Sequence, residues 1–266
     1  MKKGVYVFIF ILCIFLPLFA WGELDTFAII ADTHIGTTDS VYAEFIKIME
    51  KQNIKDIIHL GDAIHNPGKK REWEKFFEIT GRDKKIYITP GNHDINDSWS
   101  MKVFLKYFPN LYYSISDNDT QFIFLNSEIP EEKGKISGEQ LEWLKKELTK
   151  NFKFKFVFVH RPLFPVFANH GLDRFKKERD TLHKLFEKSG VSMVVSGHDH
   201  FYQRTVKDGM TYIICAGAGG QERFFAFNDT RFYFRYIVAK RIKNGYEFVV
   251  KDLNGDTGDE FQIIKE

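Results

Sequence analysis

The chain has 266 residues, 44% of them hydrophobic and 16% aromatic with 28 phenylalanines, which supports one sizeable core and excludes an intrinsically disordered protein. Its 38 basic and 36 acidic side chains give a net charge of +2, and Lys2 and Lys3 both precede the first apolar run, so the remainder is formally neutral. Neutrality removes the electrostatic case for a general nucleic-acid or anionic-membrane binder.

Residues 1–22 read as a targeting segment. Lys2 and Lys3 form a positive start, residues 5–20 carry no charge, and Ala20 and Gly22 are small residues at the spacing a signal peptidase prefers. The pattern predicts cleavage before Glu23 and a single domain over 23–266. The alternative is an uncleaved membrane tether through residues 5–20, because the run approaches the roughly 17–25 residues that span a bilayer. Both readings place the domain outside the cytoplasm, secreted or membrane-anchored. Cys13 lacks the small preceding residues of a lipoprotein site, and the other cysteine is Cys215. Cleavage would leave no intrachain disulfide, so the fold must rest on its core.

After this segment, short runs rich in Ile, Val and Phe predict buried strands at 27–31, 56–60, 86–89, 121–126, 154–159, 193–196 and 212–215. Amphipathic stretches predict helices near 41–52, 71–80, 98–107, 138–150 and 172–189. The fourth helix begins with a capping-box pattern in which Ser137 caps and Gln140 reaches back. Alternation of strand and helix predicts an α/β sheet with helices outside. Beyond 230 only strands are expected, with Asn244-Gly245 turning a hairpin between 231–242 and 246–252.

Residues able to bind metal stand at the ends of these strands. The first ends in Asp32 and His34, the second in Gly61-Asp62, and the third in Gly91-Asn92-His93-Asp94. The fifth ends in His160 and the sixth in Gly197-His198-Asp199-His200. Sites in open α/β sheets form outside the carboxyl ends of strands, so these loops are expected to converge. Carboxylate, imidazole and amide oxygen suit borderline divalent metals such as Zn, Mn and Fe, and the lack of thiolate disfavours a structural zinc cage.

The ordered set Asp-x-His, Gly-Asp, Gly-Asn-His-Asp, Val-x-x-His and Gly-His-x-His resembles calcineurin-like metallophosphoesterases. Gly138 to Leu144, Tyr202, Arg204 and the run Ala216 to Gly220 resemble the bacterial branch that includes cyclic-nucleotide phosphodiesterases and purple-acid-phosphatase-like enzymes. The resemblance implies a metallophosphoesterase-type four-layer αββα sandwich with a dinuclear metal site at the strand C-terminal ends. It implies that Asp32, His34 and His200 bind one ion, that Asn92, His160 and His198 bind the second, and that Asp62 bridges them. His93 corresponds to the histidine that stabilises the transition state or protonates the leaving oxygen. Two such cations about 3.5–4 Å apart acidify a shared water for attack on phosphorus. The expected substrates are phosphomonoesters or phosphodiesters; metal identity and oligomeric state stay open. A scaffold that keeps the fold and the metals without turnover is the alternative.

Two departures from the family stand out. Purple acid phosphatases carry Gly where this chain has His34 and a ligand Tyr where it has His65, so their tyrosinate–iron colour is not expected. The phosphoprotein-phosphatase branch has at the His65 position an Asp that orients the catalytic histidine, which leaves the tautomer of His93 unexplained.

Other features have plainer readings. His59 and His183 fall within elements and are expected to be structural, and Asp94 is expected to brace or cap rather than ligate. The connector 161–177 is long, and Arg161 or His170 is expected to touch substrate phosphate, with a plain surface loop as the alternative. The glycines of 216–220 suggest close backbone packing near the site rather than a nucleotide cradle, and Gly255 suggests a hairpin turn rather than a calcium loop. Lys69, Lys70 and Arg71 read as a solvated helix start.

Overall fold

The computed structural model describes residues 24–215, 217–219 and 234–266. The targeting segment, residue 216 and residues 220–233 lie outside this range, so the expectations for export and for part of the glycine run are not addressed by it.

Two six-stranded sheets carry the fold. In the first, the parallel strands β1 (Thr26–Ile30), β2 (Asp56–His59) and β3 (Lys85–Ile88) continue into an antiparallel meander of β10 (Arg235–Ile242), β11 (Gly245–Asp252) and β12 (Thr257–Ile264), in the order β12-β11-β10-β1-β2-β3. The second sheet holds β4 (Tyr113–Asp117), β5 (Thr120–Leu125), β6 (Phe154–Val159), β7 (Met193–Ser196), β8 (Gln203–Lys207) and β9 (Met210–Ile214), in the order β4-β5-β6-β7-β9-β8. Helices α1 (Tyr42–Lys51), α2 (Lys70–Thr80) and α3 (Ser98–Phe104) cover the first sheet, and α4 (Gly138–Leu148) and α5 (Lys176–Lys188) cover the second. The result is the expected four-layer αββα sandwich.

Strand alternation explains the layers. On β1, Phe27 and Ile29 face the opposite sheet while Ala28 and Ile30 face the helices; on β6, Phe154, Phe156 and Phe158 face inward while Val157 and Val159 meet α4 and α5. The phenylalanine-rich composition therefore fills the space between the sheets, where edge-to-face and stacked rings such as Phe27–Phe122 at 5.6 Å and Phe124–Phe158 at 5.0 Å form the central core. Both faces of each central strand are buried, which is why those strands read as unbroken apolar runs.

Most predicted strand and helix positions stand within two residues of those found. The capping box does not form: Ser137 Oγ donates to Glu132 at 2.7 Å, and Gln140 turns inward to clamp the backbone of Asn126. The last predicted helix begins as a 3-10 turn over Leu172–Phe175. Two strands were not foreseen: β4 and β8 lie at the two edges of their sheet, where one-sided burial weakens the apolar signal. β12, at one edge of the other sheet, falls where only strands were expected, although its bounds were not. Gly255 turns the hairpin between β11 and β12 at φ 93°.

Candidate metal centre

Five loops at the carboxyl ends of β1, β2, β3, β6 and β7 meet at one end of the sandwich. Asp32, His34 and His200 bring ligand atoms within 4.8 Å of one another, and so do Asp62, His160 and His198. Asn92 joins the second group, with its Oδ1 3.2 Å from His160 Nε2. The seven side chains expected at the site are therefore gathered in the folded chain.

Asp62 lies between the two groups. Its Oδ1 accepts the backbone N–H of His93 at 2.7 Å, while Oδ2 lies 3.8 Å from His34 Nε2 on one side and 3.5 Å from His160 Nε2 on the other. That is the placement a shared carboxylate needs. Asp32 ties the first and last loops together, its carboxylate accepting the backbone N–H of His198 at 3.0 Å.

The backbone here is costly to hold. Asp32, His34, Asp62, His198 and His200 all take positive φ, between 44° and 73°, a region that disfavours a residue with a Cβ by about 1–2 kcal/mol. Such strain gathers where side chains must be aimed. Gly91 lets the loops close, because a Cβ there would lie 2.1 Å from Asp62 Oδ1. Gly217 passes similarly close to the ring of His200, as the glycine run suggested, with a would-be Cβ 3.0 Å from its Cγ.

Protonation states fit a cation site. His160 Nδ1 donates to the carbonyl of Leu60 at 2.8 Å, which makes Nε2 an acceptor; it meets Asn92 Oδ1 and Asp62 Oδ2 and takes the N–H of His198 Nδ1 at 3.1 Å. Burial pulls His34 down to about 2 and also lowers His160 and His198, so these imidazoles stay neutral and able to ligate. Burial, reinforced by Asp32, Asp94 and Glu128, pushes Asp62 well above the carboxylate range, and a cation would reverse this. Acceptor atoms crowded at 3.2–3.5 Å without enough protons between them suit a divalent ion.

The surrounding groups brace this set. Asp94 Oδ1 accepts the N–H of Ala63 at 2.9 Å and Oδ2 that of Gly91 at 2.9 Å, strapping the Asp62 loop to the Asn92 loop. His59 is held by the N–H of Gly61 and by Thr33, and His183 by Tyr212 and Asp208. His93 Nδ1 donates to the main-chain carbonyl of His65 at 2.6 Å. The orienting acceptor is thus the backbone of His65 rather than its side chain, which stacks on His93 at 5.3 Å. Nε2 of His93 is then the atom that can carry a transferable proton.

The connector 161–177 is built against the site. His170 lies over the ring of His198 with centroids 4.2 Å apart, and its Nδ1 donates to the buried Asp199 at 2.6 Å. The other oxygen of Asp199 accepts the N–H of Val166 at 2.7 Å, and Asp173 accepts those of Asn169 and Gly171. Arg161 Nη1 reaches His198 Nε2 at 3.0 Å. Because a guanidinium only donates, this contact puts the His198 proton on Nδ1. For Nδ1 to ligate, that proton would have to move to Nε2 and the His198 ring shift off Nη1.

Sequence reasoning missed Glu128, and it placed Asp199 at the strand end without foreseeing its grip on His170. The signal for Glu128 was present: Asn126, Ser127 and Glu128 follow the apolar run Phe122 to Leu125, as the ligand residues follow theirs.

A family model described as Calcineurin-like phosphoesterase matches residues 26–202, well over half of the chain. Purple acid phosphatase 15 of Arabidopsis thaliana is 26% identical over 57% of this chain and 32% of its own length. The chain spans under half the length of the curated relatives it matches. Among solved structures, the purple acid phosphatase PPD1 from yellow lupin superposes with a TM-score of 0.74 at 17% identity, covering 91% of this chain and 54% of that one. GAP50, described as the anchor in the inner membrane complex of Plasmodium, gives a TM-score of 0.71 at 14% identity, covering 91% and 89%.

Proposed function

The chain belongs to the calcineurin-like phosphoesterases, metal-dependent phosphoester hydrolases, and from that premise we propose that it is an exported phosphatase or phosphodiesterase working through a dinuclear centre. Asp32, His34 and His200 would hold one ion and Asn92, His160 and His198 the other, with Asp62 placed to serve both. Mn, Fe and Zn all accept these ligands. The observation that carries this reading is the Oδ2 atom of Asp62, set between His34 and His160.

When bound, the ion pair supplies an acidified water and positive charge against the phosphoryl oxygens. The chain's own residues do the rest. His93, fixed by the His65 carbonyl, holds a proton at Nε2 for the departing oxygen. Arg161 and His170 bind and orient the phosphoryl group from the side of His198. The Asp199 contact keeps His170 from swinging away. His170→Ala should therefore raise the Michaelis constant for 4-nitrophenyl phosphate by about tenfold, the scale of one lost charge-assisted hydrogen bond. Steady-state kinetics with unchanged constants would remove His170 from the substrate site.

Assay of the purified chain with 4-nitrophenyl phosphate and bis(4-nitrophenyl) phosphate, with and without added Mn, tests the activity. Metal-dependent turnover of either ester is expected. A second reading is a scaffold that keeps the metals without turnover; a protein described as an anchor in the inner membrane complex of Plasmodium shares the fold. Stoichiometric metal with no hydrolysis of either ester would select it.

Export rests on residues 1–22, with Lys2 and Lys3 before an uncharged run. N-terminal sequencing of the protein isolated from its producing cell should begin at Glu23. An intact Met1 in a cytoplasmic fraction would overturn this.

A further inference from the structure

The loop after β5 contributes no residue to the proposed ligand set, yet it carries a fully buried carboxylate beside it. Glu128 grips Arg161 with both oxygens: Arg161 Nε donates to Oε1 at 2.7 Å and Nη2 donates to Oε2 at 3.1 Å. Ser127 Oγ adds a third donor to Oε1 at 2.8 Å, and the N–H of Glu128 donates to Asn126 Oδ1 at 2.7 Å. Asn126 is fixed in turn by Gln140 on α4, which accepts its N–H at 2.7 Å and donates to its carbonyl at 2.8 Å. The guanidinium is thus tied to the scaffold through an unbroken series of hydrogen bonds.

A carboxylate taken wholly out of water costs several kcal/mol unless it is paired with good geometry, and an apolar pair of similar size is often no worse for stability. The arrangement therefore asks for a reason beyond stability. Fork-to-fork pairing occupies Nε and one edge of Nη2 and leaves a defined set of donors outside the pair. Those donors face the second half of the site, with Nη1 3.0 Å from His198 Nε2 and Nη2 3.5 Å from Asn92 Oδ1.

We infer that Glu128 is a positioning residue, which holds Arg161 so that Nη1 and Nη2 meet a phosphoryl oxygen at the edge of the Asn92–His160–His198 group. This rests on the proposed function. Ligation through His198 Nδ1 would put that ring's proton on Nε2 and move the ring off Nη1, which the planar guanidinium locked on Glu128 keeps in place, so the freed Nη1 N–H becomes available to a phosphoryl oxygen. An unrestrained arginine would instead lose side-chain entropy on binding phosphate.

The test reads inorganic phosphate binding to the Mn-loaded full chain by calorimetry, together with KM and kcat for 4-nitrophenyl phosphate. Glu128→Gln keeps the volume but offers one acceptor and one amino group to a fork that needs two acceptors. Phosphate affinity should fall about tenfold in Glu128→Gln and at least as far in Arg161→Ala, with KM rising more than kcat falls. The double variant should bind no more weakly than Arg161→Ala alone, because the two residues act as one unit. Arg161→Lys, which leaves Glu128 intact, covers a folding failure of the first variant. Its ammonium should settle on Glu128 and bind phosphate as poorly as Arg161→Ala. Wild-type phosphate affinity in folded Glu128→Gln or in Arg161→Lys, or additive losses in the double variant, would overturn the inference. Binding is read without turnover, so a chain that shows this pattern yet hydrolyses nothing would sink the proposed activity and leave Glu128 in its role.

Discussion

Asp62→Asn should lower kcat/KM for 4-nitrophenyl phosphate by roughly 10³-fold or more, because the charge offset that two ions give the transition state is worth several kcal/mol. The substitution is nearly isosteric, so the fold has little reason to fail. The amide oxygen can still accept the His93 N–H, as Asp62 Oδ1 does at 2.7 Å. What is lost is the second anionic oxygen, which Oδ2 presents between His34 and His160. An amide puts an NH2 group there, and a donor repels a cation. Metal content should fall together with turnover, and both are measurable on one sample. Full turnover in Asp62→Asn would show that the carboxylate is not shared.

His93→Ala has the second largest expected effect, about 10²–10⁴-fold in kcat for esters with poor leaving groups such as alkyl phosphates. Nitrophenolate leaves without help, so the loss on 4-nitrophenyl phosphate should be much smaller. The pH dependence follows from the environment. Burial, aided by the imidazoles of His65 and His200, holds His93 below the ordinary histidine value, against the pull of the His65 carbonyl and Asp32. The catalytic form is the protonated one, and its population falls as pH rises through that lowered value. Turnover of alkyl phosphates should therefore begin to decline at a lower pH than an ordinary histidine would set. His93→Ala should lack this limb in a pH–rate profile. Equal losses on both ester classes, or an unchanged profile, would deny His93 a proton-transfer role.

Most ligand residues could be read from the sequence because they follow strands buried on both faces, where an apolar run stops at a polar group. Asp32, Asp62, His160 and His198 carry that signature, Asn92 follows the edge strand β3, and the loops converge as the position of strand ends in an α/β sheet requires. The edge strands β4, β8 and β12 lacked it, since side chains there face solvent on one side. Ser137 and Gln140 show the opposite failure. A pattern that fits a cap was overridden by tertiary demand, because the buried backbone of Asn126 needed the Gln140 amide more than the helix end did. The orientation of His93 was out of reach because its partner is a main-chain carbonyl, and every residue has one. The grips of Glu128 on Arg161 and Asp199 on His170 join residues about thirty positions apart, a pairing that only folding brings together.

The most direct measurement is metal quantitation on the purified full chain, titrated with Mn while hydrolysis of 4-nitrophenyl phosphate is followed. Two ions per chain are expected, with turnover rising as the second binds and both losses appearing in Asp62→Asn. Full turnover reached with a single ion, or two ions held equally well without the Asp62 carboxylate, would contradict a shared dinuclear centre.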